Sequence, residues 1–571
     1  MRSVLNVVPM AVAFLLTAGC SDGSQPALFT DADLGVDGAP ADVELDPSPA
    51  GPDGGRGDPD LPDGASDQGG WNRCIFDNGR AAECALLRMP LVPNQPDLGE
   101  IPVFVSRVRG ADAKTNQLWL LQGGPGGASA GLQDLATRLS DRRPGLDVYL
   151  IDHRGVGRSE RLGCPGEERW NTEGGVDIQG GEWDRCGRFL TERYGHRLSG
   201  FSTSGAADDL AGAIRATSEL GQEVYVLGFS YGTYWAHRFL QRHPGLADAV
   251  ILDSICPPGG HCDITRYDAQ FNEVGRQFMS LCGADAFCSG KLGADPWLGL
   301  EGVRGALELG ACPNAGIDGA GLARVLATLL KFVEFRAALP AIVYRLDRCE
   351  AEDVLAIQHL VELLAGSATA LPPADSPALA GHILFSELWN PGGPPPDAAA
   401  LERDSRAAPI SSGRVATLAP GRALWPVYDA PQQMEWAQSA VPLLMLNGTL
   451  DPQTPAARAR VVGDVFQGAQ QQYVEVPFAA HTVMLQSPMS DGEHCGARLV
   501  HAFLDDPRAE LDVSCTTEMT PPDFRGSEAL APWLFGKADL YENDTRKAMI
   551  AGVEPARWKA FMQQYLRPSP Y

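Results

Sequence analysis

The sequence predicts an α/β protein in which a mostly parallel sheet is flanked by helices and a mostly helical cap is inserted after the sixth strand. Three observations carry that expectation. After Trp71 short runs rich in leucine and β-branched residues alternate with helical stretches, the pattern of parallel strands joined by crossover helices. The early runs each end in a glycine-containing turn, as strands buried on both faces do. The series is then interrupted at 256–435 by an interval with helical periodicity in 322–345 and 351–364 and many prolines between 372 and 396.

In chain order the first element is a leader. A basic start at Arg2 precedes an apolar run at 4–16, too short to remain as a membrane-spanning helix, so residues 1–19 read as a signal peptide. The run ends in Leu16-Thr17-Ala18-Gly19-Cys20, which resembles a bacterial lipobox and marks Cys20 as the lipidated residue. Residues 20–70 follow as an acidic tether, with almost no aromatic or β-branched residues to offset the entropy of ordering. From residue 21 the tether holds twelve acids and the single base Arg56, so eleven of the 26 excess negative charges belong to it and say little about substrate. The expected location is the bacterial cell envelope, with lipid as the one membrane contact. Basic residues do not cluster, which argues against a nucleic-acid partner.

The folded part divides into a first core segment (71–255), the cap (256–435), a second core segment (436–515) and a C-terminal extension (516–571). Six strands stand out, at 118–122, 148–152, 224–228, 249–253, 443–447 and 472–476. Twelve cysteines beyond Cys20 fall into sequential pairs: Cys74 and Cys84, Cys164 and Cys186, Cys256 and Cys262, Cys282 and Cys288, Cys312 and Cys349, Cys495 and Cys515. In an exported chain the simplest expectation is six disulfides in that order. No His accompanies them at metal-ligand spacing, and neither metal nor cofactor is expected.

The run at 118–122 leads into Gln122-Gly123-Gly124-Pro125-Gly126-Gly127, where bare backbone N–H groups suit an oxyanion and where Gly124-Pro125 is a place for a cis bond. The next strand leads into Asp152-His153-Arg154-Gly155-Val156-Gly157-Arg158-Ser159; an Arg beside an Asp in a glycine-rich turn reads as a loop brace. Gly228-Phe229-Ser230-Tyr231-Gly232 follows a third strand and precedes a helix starting near Thr233. That is the setting of a nucleophile elbow, in which a serine sits in a strained strand-to-helix turn. A serine nucleophile needs a base, and the base an orienting acid. Asp451, just beyond the strand at 443–447, and His481, five residues past the last strand, complete the order Ser, acid, His. Ser230, Asp451 and His481 are therefore the candidate catalytic residues, with the Tyr231 and Gly124 backbone N–H groups as oxyanion donors contributing about 3 kcal/mol or more each.

Together these motifs, with Gly-Phe-Ser-Tyr-Gly-Thr-Tyr and Gly-Thr-Leu-Asp-Pro-Gln-Thr-Pro, resemble the tripeptidyl aminopeptidase and prolyl aminopeptidase group of serine peptidases, of the α/β-hydrolase superfamily. The resemblance extends to 201–210 and to Cys495 and Cys515. It implies an exopeptidase that releases short units or a single proline from peptide N-termini. Recognition of a protonated amine calls for a cap carboxylate, and Glu387 is the candidate by analogy of position. Gln122 departs from the His or Asn usual before the glycines, and 516–571 runs past the family's usual end. An esterase using the same triad and a non-catalytic binding lipoprotein are the competing readings. Peptide length, residue preference and oligomeric state stay open.

Overall fold

The chain divides into residues 1–65 and 66–571; the structure, a computed structural model, describes residues 70–169, 171–367 and 374–543, all in the second unit. The leader, Cys20, the tether up to residue 69 and the end of the extension from 544 lie outside the described residues.

Nine strands form one sheet: β1 Asn72–Ile75, β2 Ala81–Pro90, β3 Glu100–Val108, β4 Asn116–Leu121, β5 Leu146–Ile151, β6 Val224–Phe229, β7 Ala249–Asp253, β8 Leu443–Gly448 and β9 Gln471–Val476. Their order is β1-β2-β3-β5-β4-β6-β7-β8-β9. The pairs from β1 to β3 and between β3 and β5 are antiparallel, and all later pairs are parallel. The six expected strands are β4 to β9, and three antiparallel strands precede them. Seven strands therefore come before the cap interval, where the cap was expected after the sixth and only four of the expected strands lie before it. The first is a four-residue strand on the sheet edge, joined to β2 by the Cys74–Cys84 disulfide, and so short a segment has no pattern to read.

Period-two alternation sorts side chains to the two faces. Leu118 and Leu120 of β4 enter the core under the helices Gln133–Arg142 and Cys495–Asp505, while Trp119 and Leu121 enter the core under Thr203–Thr217 and Tyr231–Arg242. Ser202 caps the helix Thr203–Thr217 by accepting from the Gly205 N–H.

Among the described residues the interval 256–435 holds helices and no strand. Its periodicity runs through 322–345, but the chain breaks into Gly319–Leu330 and Ala338–Arg348, because the link between them turns toward the sheet. There Val333 N–H donates to Gln486 Oε1 at 3.1 Å, and Arg336 donates to the Phe478 carbonyl. The helices from Tyr267–Ala284 to Ala351–Ser367 share a separate core. The later helix Pro377–Glu387 instead packs into the sheet's core against Trp183, with Ala378, Leu379, Ile383 and Phe385 buried there. The extension beyond 515 completes the cap core: Phe524, Leu534, Phe535, Leu540 and Tyr541 are all buried in it. All six disulfides join the cysteines in the expected sequential order.

Candidate active site

β6 runs into the helix Tyr231–Arg242, which begins two residues before the expected start, and Ser230 stands between them at φ 55°, ψ −126°. Such a backbone is costly for any residue with a Cβ, and it is held by close approach on both sides. A Cβ on Gly228 would lie 2.3 Å from the Gly232 carbonyl oxygen, and one on Gly232 would lie 2.3 Å from that of Leu121. Glycine at both flanks is thus a steric requirement. The Tyr231 N–H lies in the first turn of the helix, where N–H groups have no intrahelical acceptor.

Asp451 follows β8 and is buried. Its Oδ1 accepts from the backbone N–H groups of Gln453 (2.8 Å) and Thr454 (3.0 Å), and its Oδ2 accepts from Thr454 Oγ1 at 2.7 Å. The same carboxylate faces His481 Nδ1, 2.9 Å from Oδ2 and 3.1 Å from Oδ1. An acceptor-only carboxylate there puts the proton on Nδ1 and leaves Nε2 as the basic nitrogen. The turn carrying His481 is itself tight, with Phe478 at φ 59° and Thr482 at φ 63°. Among the described residues Ser230 Oγ and His481 Nε2 form no hydrogen bond, a contact commonly loose in unliganded serine hydrolases. Gln486 Nε2 donates to the His481 carbonyl at 2.8 Å and Ser254 Oγ accepts from the Thr482 N–H at 2.7 Å; of these supports and Thr454, only Thr454 had a signal in the sequence, its place in the Asp451 motif.

The glycine loop packs against Ser230, since a Cβ on Gly123 would sit 2.8 Å from Ser230 Cβ. Gln122 folds back so that its Oε1 accepts from the Gly123 N–H at 2.9 Å. The Gly124-Pro125 bond is cis. The loop is moored at its far end, where Gly126 O accepts from Ser376 N–H at 2.9 Å and Asp152 Oδ1 accepts from both the N–H (2.9 Å) and the hydroxyl (2.6 Å) of Ser129.

The motif after β5 braces, as expected. Arg154 pairs with Asp209 through two nitrogens and donates to the carbonyls of Pro90, Leu91 and Gly200. His153 Nδ1 lies 2.7 Å from the Arg154 carbonyl and so donates to it, leaving Nε2 to accept from Tyr231 OH at 3.2 Å. Burial pushes the His153 imidazole down to about 3, so it stays neutral. Tyr231 OH in turn accepts from Thr203 Oγ1 at 2.8 Å. The residue after Ser230 is thereby fixed at both its backbone and its side chain.

Glu387, the expected amine site, ends the helix Pro377–Glu387 and is 1% exposed. Oε1 accepts from Thr203 N–H (3.0 Å) and Tyr428 OH (2.6 Å), and Oε2 accepts from Tyr234 OH (3.2 Å) with Arg238 Nη2 at 3.4 Å. Burial, and then the Glu387 charge, push the Tyr231, Tyr234 and Tyr428 hydroxyls well above their ordinary value. The Arg238 guanidinium already compensates this carboxylate, so in this arrangement it has no unmatched charge to offer an ammonium. That departs from the expected role. Arg238, on the helix after Ser230, was legible only as a helical residue. Trp389 sits in the sheet's core.

Sheet order and elbow agree with the family match: residues 118–289 match a family model described as alpha/beta hydrolase fold. The protein has the α/β-hydrolase fold. Residues 415–515, which carry Asp451 and His481, match a second family model, described as TAP-like protein. The serine protease Hip1 of Mycobacterium tuberculosis (strain ATCC 25618 / H37Rv) and that of Mycobacterium bovis are each 27% identical over 257 residues, 40% of this chain and 48% of theirs. The chain thus spans about half the length of the curated relatives it matches. Similar solved structures include an open-form lipase (13% identity, TM-score 0.31, 75% of this chain and 100% of that one). A proline iminopeptidase-related protein from Thermus thermophilus is also similar (16%, 0.29, 71% and 92%). Likeness this slight carries no information about chemistry. The six disulfides suit an oxidising compartment. No helix among the described residues is long and apolar enough to cross a membrane.

Proposed function

We propose that the protein is an exported serine peptidase, tethered through a lipidated Cys20, that releases short N-terminal units from peptides through an acyl-enzyme. The observation that carries this is the His481–Asp451 pair, with Nδ1 turned to the carboxylate, within a stretch that matches the TAP-like model, in a chain that also sets Ser230 in a strand-to-helix elbow. Ser230 Oγ attacks the scissile carbonyl while His481 Nε2 takes its proton, and the Asp451 carboxylate stabilises the imidazolium. The oxyanion is met by the N–H groups of Tyr231 and Gly124. Collapse breaks the C–N bond as His481 gives the proton to the leaving amine, and water, activated by the same nitrogen, hydrolyses the ester.

One observation favours a second reading, an esterase or acyl hydrolase with the same triad: the pairing of Glu387 with Arg238 leaves the expected amine site neutralised. Turnover by the full chain of free-amine proline and tripeptide anilides, their N-blocked forms and short acyl esters separates the two. Exclusive use of free-amine anilides is expected; preference for blocked anilides or esters overturns the exopeptidase reading. Ser230→Ala should lower every rate by about 10⁴-fold or more, and an unaffected rate would remove Ser230 from the reaction.

A further inference from the structure

The base needs more than its acid partner. An imidazole on a turn reaches the serine only if the turn is held, and the three N–H groups that follow His481 have a common destination. Thr482 N–H donates to Ser254 Oγ at 2.7 Å, Val483 N–H to Asp253 Oδ1 at 2.7 Å and Met484 N–H to Asp253 Oδ2 at 2.8 Å. Ser254 Oγ also lies 3.0 Å from Asp253 Oδ1, so its proton goes to the carboxylate and its lone pair to Thr482. Both residues are fully buried at the end of β7, between β6 and β8. Ser254 N–H is held by the Leu446 carbonyl and the Ile255 N–H by Asn447 Oδ1. The nucleophile hangs from the same residue, because Ser230 N–H donates to the backbone oxygen of Asp253 at 3.0 Å.

We propose that Asp253, supported by Ser254, is a positioning residue that sets the distance and angle between Ser230 and His481 by holding the backbone of both turns. The proposal rests on the reading of Ser230 as nucleophile and His481 as base; it assigns Asp253 no contact with substrate. Two charge-assisted N–H bonds to one carboxylate are stronger than neutral ones, and the N–H groups they hold belong to buried residues with no solvent to turn to. Burial pushes the Asp253 carboxyl up to about 6, against the Met484 and Val483 N–H groups, the Ser254 hydroxyl and the His481 charge, which pull it down. His481 is the charged group that acts on it. Once protonated, the carboxyl has an O–H where a backbone donor points, and one of its two grips on the turn is lost.

The test is the rate at which a fluorophosphonate labels the full chain, which depends on nucleophile and base and not on substrate class. Asp253→Asn turns an amide NH₂ toward a backbone N–H. It should lower labelling and kcat by about 10- to 100-fold, the scale of a displaced reacting group, with KM within about twofold and a fold retained by circular dichroism. Ser254→Ala, a milder change, should lower labelling by about threefold. The wild-type acid limb should be steeper than one proton explains and should become a one-proton limb in Asp253→Asn. Folded Asp253→Asn that labels at the wild-type rate overturns the proposal, as does a raised KM with kcat unchanged. If that variant does not fold, folded Ser254→Ala labelling at the wild-type rate overturns it. Wild-type protein that does not label at all sinks the reading of Ser230 instead.

Discussion

Two buried guanidinium centres, Arg154 beside the sheet and Arg345 in the cap, solve the same problem with opposite consequences for their carboxylates. Each arginine is 1% exposed or less, each pairs with a buried aspartate, and each gathers carbonyls from a segment distant in sequence. Arg154 takes Asp209 and the carbonyls of Pro90, Leu91 and Gly200. Arg345 takes Asp353, Asn543 Oδ1 and the carbonyls of Asp539, Leu540 and Glu542. The first fixes the end of β2 to the loop behind Ser230; the second fixes the C-terminal extension to the cap. Burial pushes the Asp209 carboxyl up despite Arg154, and the neighbouring Asp208 charge adds to the rise. Burial also acts on Asp353, but hydrogen bonds from Arg348 and Asn543 outweigh it and hold that carboxyl below its ordinary value. A buried pair with one cation leaves a carboxylate poorly compensated, whereas a second guanidinium and an amide reverse the balance.

The largest effect should come from breaking the simpler pair. Arg154→Met leaves Asp209 buried without a cation and should cost about 3–5 kcal/mol of stability, read as a lower denaturant midpoint; a midpoint unchanged within error would mean Asp209 finds another partner. Arg345→Met should cost less, about 1–3 kcal/mol, because Arg348 still reaches Asp353 through two nitrogens at 2.7 Å. Its loss should be local, seen as faster hydrogen exchange at 530–543 with fluorophosphonate labelling retained, and a uniform loss across the sheet would erase the distinction between the two centres.

The smallest effect is in acid. Asp353, depressed in the fold, contributes stability above its unfolded value that is lost as pH falls from about 4 through its lower folded value. Asp209, raised in the fold, has the opposite sign: the folded state takes up its proton first, so acidification toward about pH 4 relieves a cost. Protection from hydrogen exchange at 530–543, relative to the intrinsic rate at each pH, should therefore fall on acidification before protection at 203–217 does, and the reverse order would contradict the assigned shifts.

Much of the site was legible because it is local. Gly228 and Gly232 frame Ser230 within five residues, and the Asp451 turn contains its own ligands in Gln453 and Thr454. The glycine loop and its cis bond were readable for the same reason. What escaped was paired across the chain. Glu387 reads as a free cap carboxylate until Arg238, Tyr234 and Tyr428 are brought to it from 149, 153 and 41 residues away. Asp253 reads as the last residue of a strand until the His481 turn folds onto it from 230 residues on. Strands β1 to β3 escaped because an antiparallel edge is specified by its partners and by a disulfide more than by its own hydropathy.

The sequence by itself determined the sheet's parallel centre, the elbow and the acid and base turns, and it made sequential cysteine pairing the simplest expectation, which the structure then settled. Each of these follows from steric and hydrogen-bonding rules that act over a few residues, or from the shortness of the loops to be closed. Only the tertiary structure decided that the extension beyond 515 is part of the cap core, that helix Pro377–Glu387 packs with the sheet, and which charges meet Glu387, Asp253 and Asp353. Those outcomes depend on burial, which removes water and obliges each polar group to find a partner wherever in the chain it lies.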